Sequence, residues 1–283
     1  MLAISLVVLV AEVVGAALSG SLALLADAGH VLTDAGGLAL ALVAVRLAQR
    51  PATARRTWGL ARAEVLAAAA NAVVLGAVGV LVVVEAARRL AHPAPVETGP
   101  LLVFGAVGLV GNVVGVLLLV RASRDSLTVR GAFLEVLVDA AASAGVLVSA
   151  VLVRLTGWHR LDAVVAAGIA VLIAPRAWRL LREAVDVLLE SVPRGVDLDE
   201  VRAHVLRVPH VVDVHDLHAS TVTSGLPVLS AHVTVEAGCF LDGHAPQLLD
   251  QVQRCIAEHF DVAHSTIQLE PAGHGDHERL LHA

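Results

Sequence analysis

Lysine and tyrosine are absent from this sequence, and methionine occurs once. Such gaps exclude no function. Cysteine is scarce too. Cys239 and Cys255 are too few for a disulfide framework, which excludes a small stapled secreted fold. They read as ordinary small apolar residues of a reducing compartment. The scarcity that decides the class is charge. Only 16% of the 283 residues are charged, 57% are hydrophobic, and the mean hydropathy is +0.78. A soluble domain is about 45–50% apolar, so the chain is judged first as a membrane protein.

The apolar excess is uneven. Residues 1–192 hold long Val, Leu and Ala runs, whereas 193–283 have an ordinary soluble composition. The first part carries 15 Arg against 13 acidic residues, the second 5 against 13, and 11 of the 14 histidines lie in the second. An acidic, histidine-rich soluble domain attached to a membrane body suits cations and argues against nucleic acid as a partner.

A membrane helix needs about 20 apolar residues. Six segments qualify: 1–18, 22–47, 62–87, 99–121, 130–153 and 161–182. The first lacks a positively charged start, and no cleavage site follows it, so it reads as a membrane helix and not a signal peptide. Arginines concentrate after segments 2, 4 and 6, among them Arg50, Arg55, Arg121, Arg124, Arg130, Arg176, Arg179 and Arg182. That bias places both termini and the soluble domain in the cytoplasm, with the body in the plasma membrane. From about 193 the pattern changes to helix (Asp197–Arg207), strands (Val211–Thr221 and Val228–Glu236), helix (Pro246–Phe260) and strand (Ser265–Leu269). The fold class is an α-helical membrane protein with six transmembrane helices plus a small cytoplasmic α+β domain of order α-β-β-α-β.

Charges inside membrane helices cost at least about 2.5–3.5 kcal/mol each, so those that occur need partners or a purpose. His30 and Asp34 are spaced i, i+4 on segment 2, and Glu135 and Asp139 are spaced i, i+4 on segment 5. That spacing puts each pair on one helix face. Two such faces meeting offer one imidazole and three carboxylates to a divalent ion, and zinc accepts that mixture tetrahedrally. Stacked carboxylates repel unless a proton or a cation intervenes, which fits a proton-coupled cation site. Asp27, one turn before His30, is placed as a residue lining the same cavity.

Five motifs carry a family resemblance. SGSLALLADAGHVLTD (19–34), RTWGLARAE (56–64), VRGAFLEVLVDA (129–140), VVDVHDLH (211–218) and HSTIQLEP (264–271) resemble the cation diffusion facilitator family along nearly the whole chain. The resemblance implies a homodimeric zinc/proton antiporter that exports zinc. It implies a six-helix transport domain over 1–190 and a cytoplasmic, ferredoxin-like (metallochaperone-like) dimerisation and metal-binding domain over 193–271. A flexible histidine-containing tail over 272–283 would follow. His215, His232 and Glu270 fall where relatives bind zinc in that domain, Gln268 stands where some have a histidine, and His274 and His277 are tail residues within reach of the site from a partner subunit. The chain departs from the zinc-exporting branch at Glu135, usually a histidine. A carboxylate there makes the site harder and favours Mn²⁺, Fe²⁺ or Co²⁺ relative to zinc, with Cd²⁺ a further candidate. The histidine-rich loop before the fifth helix is missing.

No Walker A loop or nucleophile triad occurs, so no nucleotide partner is expected, and H-E-x-x-H is absent, which argues against an intramembrane metalloprotease. The expectation is a transporter and not an enzyme. A membrane-anchored metal sensor is the alternative of another class, but six helices with buried carboxylates exceed what an anchor requires.

Overall fold

The computed structural model describes residues 2–120 and 127–274, and the side chains of 4–120 and 133–274. Six long helices come first: α1 (Leu2–Ser19), α2 (Leu22–Ala48), α3 (Ala63–Ala91), α4 (Thr98–Leu119), α5 (Leu127–Thr156) and α6 (Arg160–Leu188). Five are long and apolar enough to cross a membrane, and the apolar stretch Ile4–Ser19 of α1 is a shorter sixth. Their outer faces expose large apolar side chains, Leu81 at 68% and Leu155 at 76% among them. Water would not tolerate so continuous an apolar surface, and lipid does. The chain is a multi-pass membrane protein. Arg121 and Arg124 lie outside the described residues, and the side chain of Arg130 does as well.

The described chain forms two compact units, one of Met1–Val43 and Ala67–Arg182, the other of Ala44–Leu66 and Glu183–Ala283. The first unit packs through small residues, as membrane helices do when backbones approach closely. Its core includes Ala16, Ala23, Ala26, Ala142, Ala163 and Ala166. Gly108 on α4 leaves the space that the Glu12 carboxylate fills, because a Cβ there would stand 2.7 Å from Glu12 Oε1. The turn from α1 to α2 needs Gly20 at φ +68°. Asp162, near the start of α6, then caps α2. Its Oδ2 accepts from Leu22 N at 2.6 Å, and its Oδ1 accepts from Ser21 Oγ at 2.5 Å. A buried carboxylate thereby satisfies backbone donors that a helix start leaves open.

In the second unit, α7 (Leu198–Val205), α8 (Gly238–Leu241) and α9 (Ala245–His259) accompany β1 (Val211–Thr221), β2 (Pro227–Val235) and β3 (His264–Pro271). The sheet order is β1-β2-β3, with β1 antiparallel and β3 parallel to β2. Leu248, Val252 and Ile256 recur along one face of α9 and meet Val214, Ala231 and Val233 in a single core with Val201 and Val205 of α7. Alternation along the strands therefore sends His215, His232, Gln268 and Glu270 to the opposite face of the sheet. The segment 44–66 belongs to this unit. Arg62 pairs with Glu190 at 2.6 Å, Trp58 meets His264 edge-on at 5.8 Å, and Glu64 Oε2 accepts from Thr223 Oγ1 at 3.1 Å. The sequence order α-β-β-α-β misses only α8, which at four residues is too short to show a period.

Candidate metal sites

His30 on α2 is 3% exposed, and its Nε2 faces two carboxylates. Asp139 Oδ1 on α5 lies 3.2 Å away and Asp34 Oδ2, one turn along α2, 3.6 Å away. One ligand atom from each of the three falls within 4.8 Å of the others, a spacing that can hold a metal ion. His30 Nδ1 and Asp34 Oδ1 are buried without a hydrogen-bond partner among the described residues. Buried polar atoms of this kind call for a ligand. Thr33 Oγ1 donates to the His30 carbonyl at 2.8 Å.

Glu135 does not join this group. The sequence places it as the fourth ligand, but in the structure Arg176 Nη2 takes its Oε1 at 2.6 Å, and Arg176 Nη1 reaches Asp34 Oδ2 at 3.2 Å. Arg176 is the residue that sequence reasoning assigned differently, as an orientation charge leaving segment 6. It follows Pro175 inside α6. Three intramembrane carboxylates in one place were a signal that a cation was owed to them.

A cavity of about 530 Å³ reaches the site, lined by Asp34, Glu135, Asp139 and Arg176 together with Asn71 and Asn112. It also touches Ile4 on α1, Ala41 on α2 and Leu119 on α4, so it extends toward the end where α1 begins and α2 and α4 finish. Asp27 does not line this cavity, contrary to its sequence placement. It is fully buried on the other side of His30, where its Oδ2 accepts from Ser143 Oγ at 2.9 Å, which in turn accepts from Asn112 Nδ2 at 3.1 Å. Glu12 is equally buried.

The second unit brings another group together. His215 and His232 are direct cross-strand partners, with ring centroids 5.4 Å apart. Glu270 reaches both, with Oε1 2.7 Å from His232 Nδ1 and Oε2 3.4 Å from His215 Nε2. Ligand atoms of these three also lie within 4.8 Å of one another. Gln268, a poor metal ligand, donates from Nε2 to Glu270 Oε1 at 2.7 Å and so steadies the carboxylate. A register shift between His215 and His218 puts Asp216 at φ +48° and brings its Oδ2 to 3.8 Å from His232 Nε2. His218 Nε2 donates to Asp216 Oδ1 at 2.9 Å, and this bond holds the Asp216 carboxyl below its ordinary pKa. His274 is exposed, with no place in this group, and His277 lies outside the described residues.

The comparisons with known proteins agree along the chain. A sequence model of the cation efflux transmembrane domain matches residues 1–189, and one of the cation efflux protein cytoplasmic domain matches 193–272. The metal cation efflux system protein CzcD of Cupriavidus metallidurans is 41% identical over 264 residues, 93% of this chain and 83% of that protein. The zinc transporter ZitB of Escherichia coli is 41% identical over 261 residues, 92% of this chain and 82% of that protein. The cadmium, cobalt and zinc/H(+)-K(+) antiporter of Bacillus velezensis is 30% identical over 275 residues, 96% of this chain and 87% of that protein.

Proposed function

The chain belongs to the cation efflux, or cation diffusion facilitator, family of membrane proteins that expel divalent metal cations, and from that premise we propose that it exchanges cytoplasmic zinc for protons by alternating access. The convergence of His30, Asp34 and Asp139 at the end of a cavity carries this reading. One imidazole and two carboxylates suit zinc. The harder set that Glu135 would complete is weakened as an argument for manganese or iron, since Arg176 engages the Glu135 carboxylate.

Metal and proton compete for the same lone pairs on His30 and the two aspartates, and that competition couples the fluxes. The cavity is the cytoplasmic approach, and the buried layer of Glu12, Asp27 and Ser143 closes the other side. Both termini are cytoplasmic, and the protein works as a homodimer. His215, His232 and Glu270 bind a second zinc ion with a regulatory role.

Zinc uptake into inverted membrane vesicles under an imposed proton gradient tests the reading. The wild-type protein accumulates zinc as the gradient dissipates, and the pair Asp34→Ala with Asp139→Ala does not. Uptake that survives both substitutions would sink the site. A protein that binds zinc but supports no flux would be the membrane-anchored sensor.

A further inference from the structure

The Asp34 oxygen that faces His30 is the oxygen that Arg176 holds. Asp34 Oδ2 stands 3.6 Å from His30 Nε2 and 3.2 Å from Arg176 Nη1. A divalent ion bound by this oxygen and by His30 would lie against a guanidinium, and two cations so close repel strongly at low dielectric. Metal binding through this oxygen therefore requires Arg176 to release it. Glu135 provides the place to retreat, since its Oε1 already accepts from the other arm of the same fork at 2.6 Å. The fork geometry of guanidinium allows it to span two carboxylates at once.

The charges balance in the same way. With Glu135 and Arg176 cancelling, a neutral imidazole, two aspartates and a divalent ion make an uncharged loaded site. Remove Arg176, and the loaded site keeps an unpaired carboxylate. The side chain is 39% exposed and lines the cavity, so it has room to move. Among the residues lining that cavity, Arg176 is the basic one.

We propose that Arg176 is a positioning residue of the transport site: a tethered cation that occupies Asp34 when the site is empty and withdraws onto Glu135 when metal arrives. It keeps the empty site from holding three uncompensated carboxylates, and it helps displace the metal at release. This rests on the reading of His30, Asp34 and Asp139 as the transport site.

The test uses the full chain in proteoliposomes, with zinc as the probe and initial rates measured across zinc concentration. Arg176→Gln removes the competitor, so KM for zinc falls on the order of tenfold while turnover falls by a similar factor. Arg176→Lys keeps the charge and returns KM toward the wild-type value. Glu135→Gln leaves Arg176 only Asp34 to pair with, and KM rises on the order of tenfold. A residue that merely braced the fold would raise KM, or lower the yield of folded protein, when removed. An unchanged or raised KM in Arg176→Gln overturns the proposal. Should that variant fail to fold, an unchanged KM in Glu135→Gln does the same. His30→Ala separates the two readings. If it keeps wild-type kinetics, the site assignment itself is wrong. If it abolishes transport while the Arg176 variants behave as wild type, only the role of Arg176 falls.

Discussion

Asp162 and Ser21 are 141 residues apart in sequence and meet at 2.5 Å, a carboxylate of α6 accepting from a hydroxyl at the start of α2. The same carboxylate accepts from Leu22 N, and Asp162 is 1% exposed. Asp162→Ala leaves these buried donors unmet, at about 1–3 kcal/mol for each. The expected result is a lower unfolding temperature of the detergent-purified protein, with Asp162→Asn intermediate. An unchanged midpoint would mean that water replaces the cap.

Gly15→Ala places a methyl group against Phe104 Cβ and Cγ and Leu24 Cδ2, all closer than 3.0 Å to the added carbon. Overpacking of this kind costs about 1–3 kcal/mol. The variant should unfold earlier than wild type, and Gly99→Ala, where a Cβ meets open space, should not.

The cytoplasmic group predicts a count. His215→Ala with His232→Ala lowers the zinc bound per chain by one in equilibrium dialysis, and zinc no longer raises the melting temperature through that site. Transport persists at a reduced rate, because His30, Asp34 and Asp139 are untouched. Equal loss of flux from the cytoplasmic and the intramembrane variants would contradict the division into two sites.

Asp216 gives a pH dependence. Its pKa is lowered, first by the hydrogen bond from His218 and then by the nearby histidines. A depressed carboxyl pKa contributes stability that is fully present above the unfolded value, about 3.9, and is lost as pH falls through the folded value. The group is exposed, so the contribution is screened to less than about 1 kcal/mol. Asp216→Asn should lower the thermal midpoint slightly at pH 7, and the difference should vanish at strongly acid pH.

What the sequence revealed follows from how local each relationship is. His30 and Asp34 share a helix face by spacing alone, and Asp139 belongs to a second such pair. The six apolar segments and the three strands were legible for the same reason. Arg176 was not, because its bond to Asp34 crosses 142 residues, and an arginine late in an apolar helix looks like a topology signal. Glu135 shares a helix face with Asp139, yet sequence spacing could not show that a guanidinium would claim it. Asp216 was missed because regular alternation sends it to the face opposite His215. Only the register shift turns it toward His232.

The parallel pairing of β3 with β2 has a consequence for the order of assembly. His215 and His232 are brought together by the antiparallel pairing of β1 with β2, which are neighbours in sequence. Glu270 arrives only after α9 has crossed over and β3 has docked alongside β2, and parallel pairings of this kind form late because they close long loops. Glu270 is thus the last of the three side chains to be placed, and the complete group belongs to the finished domain alone.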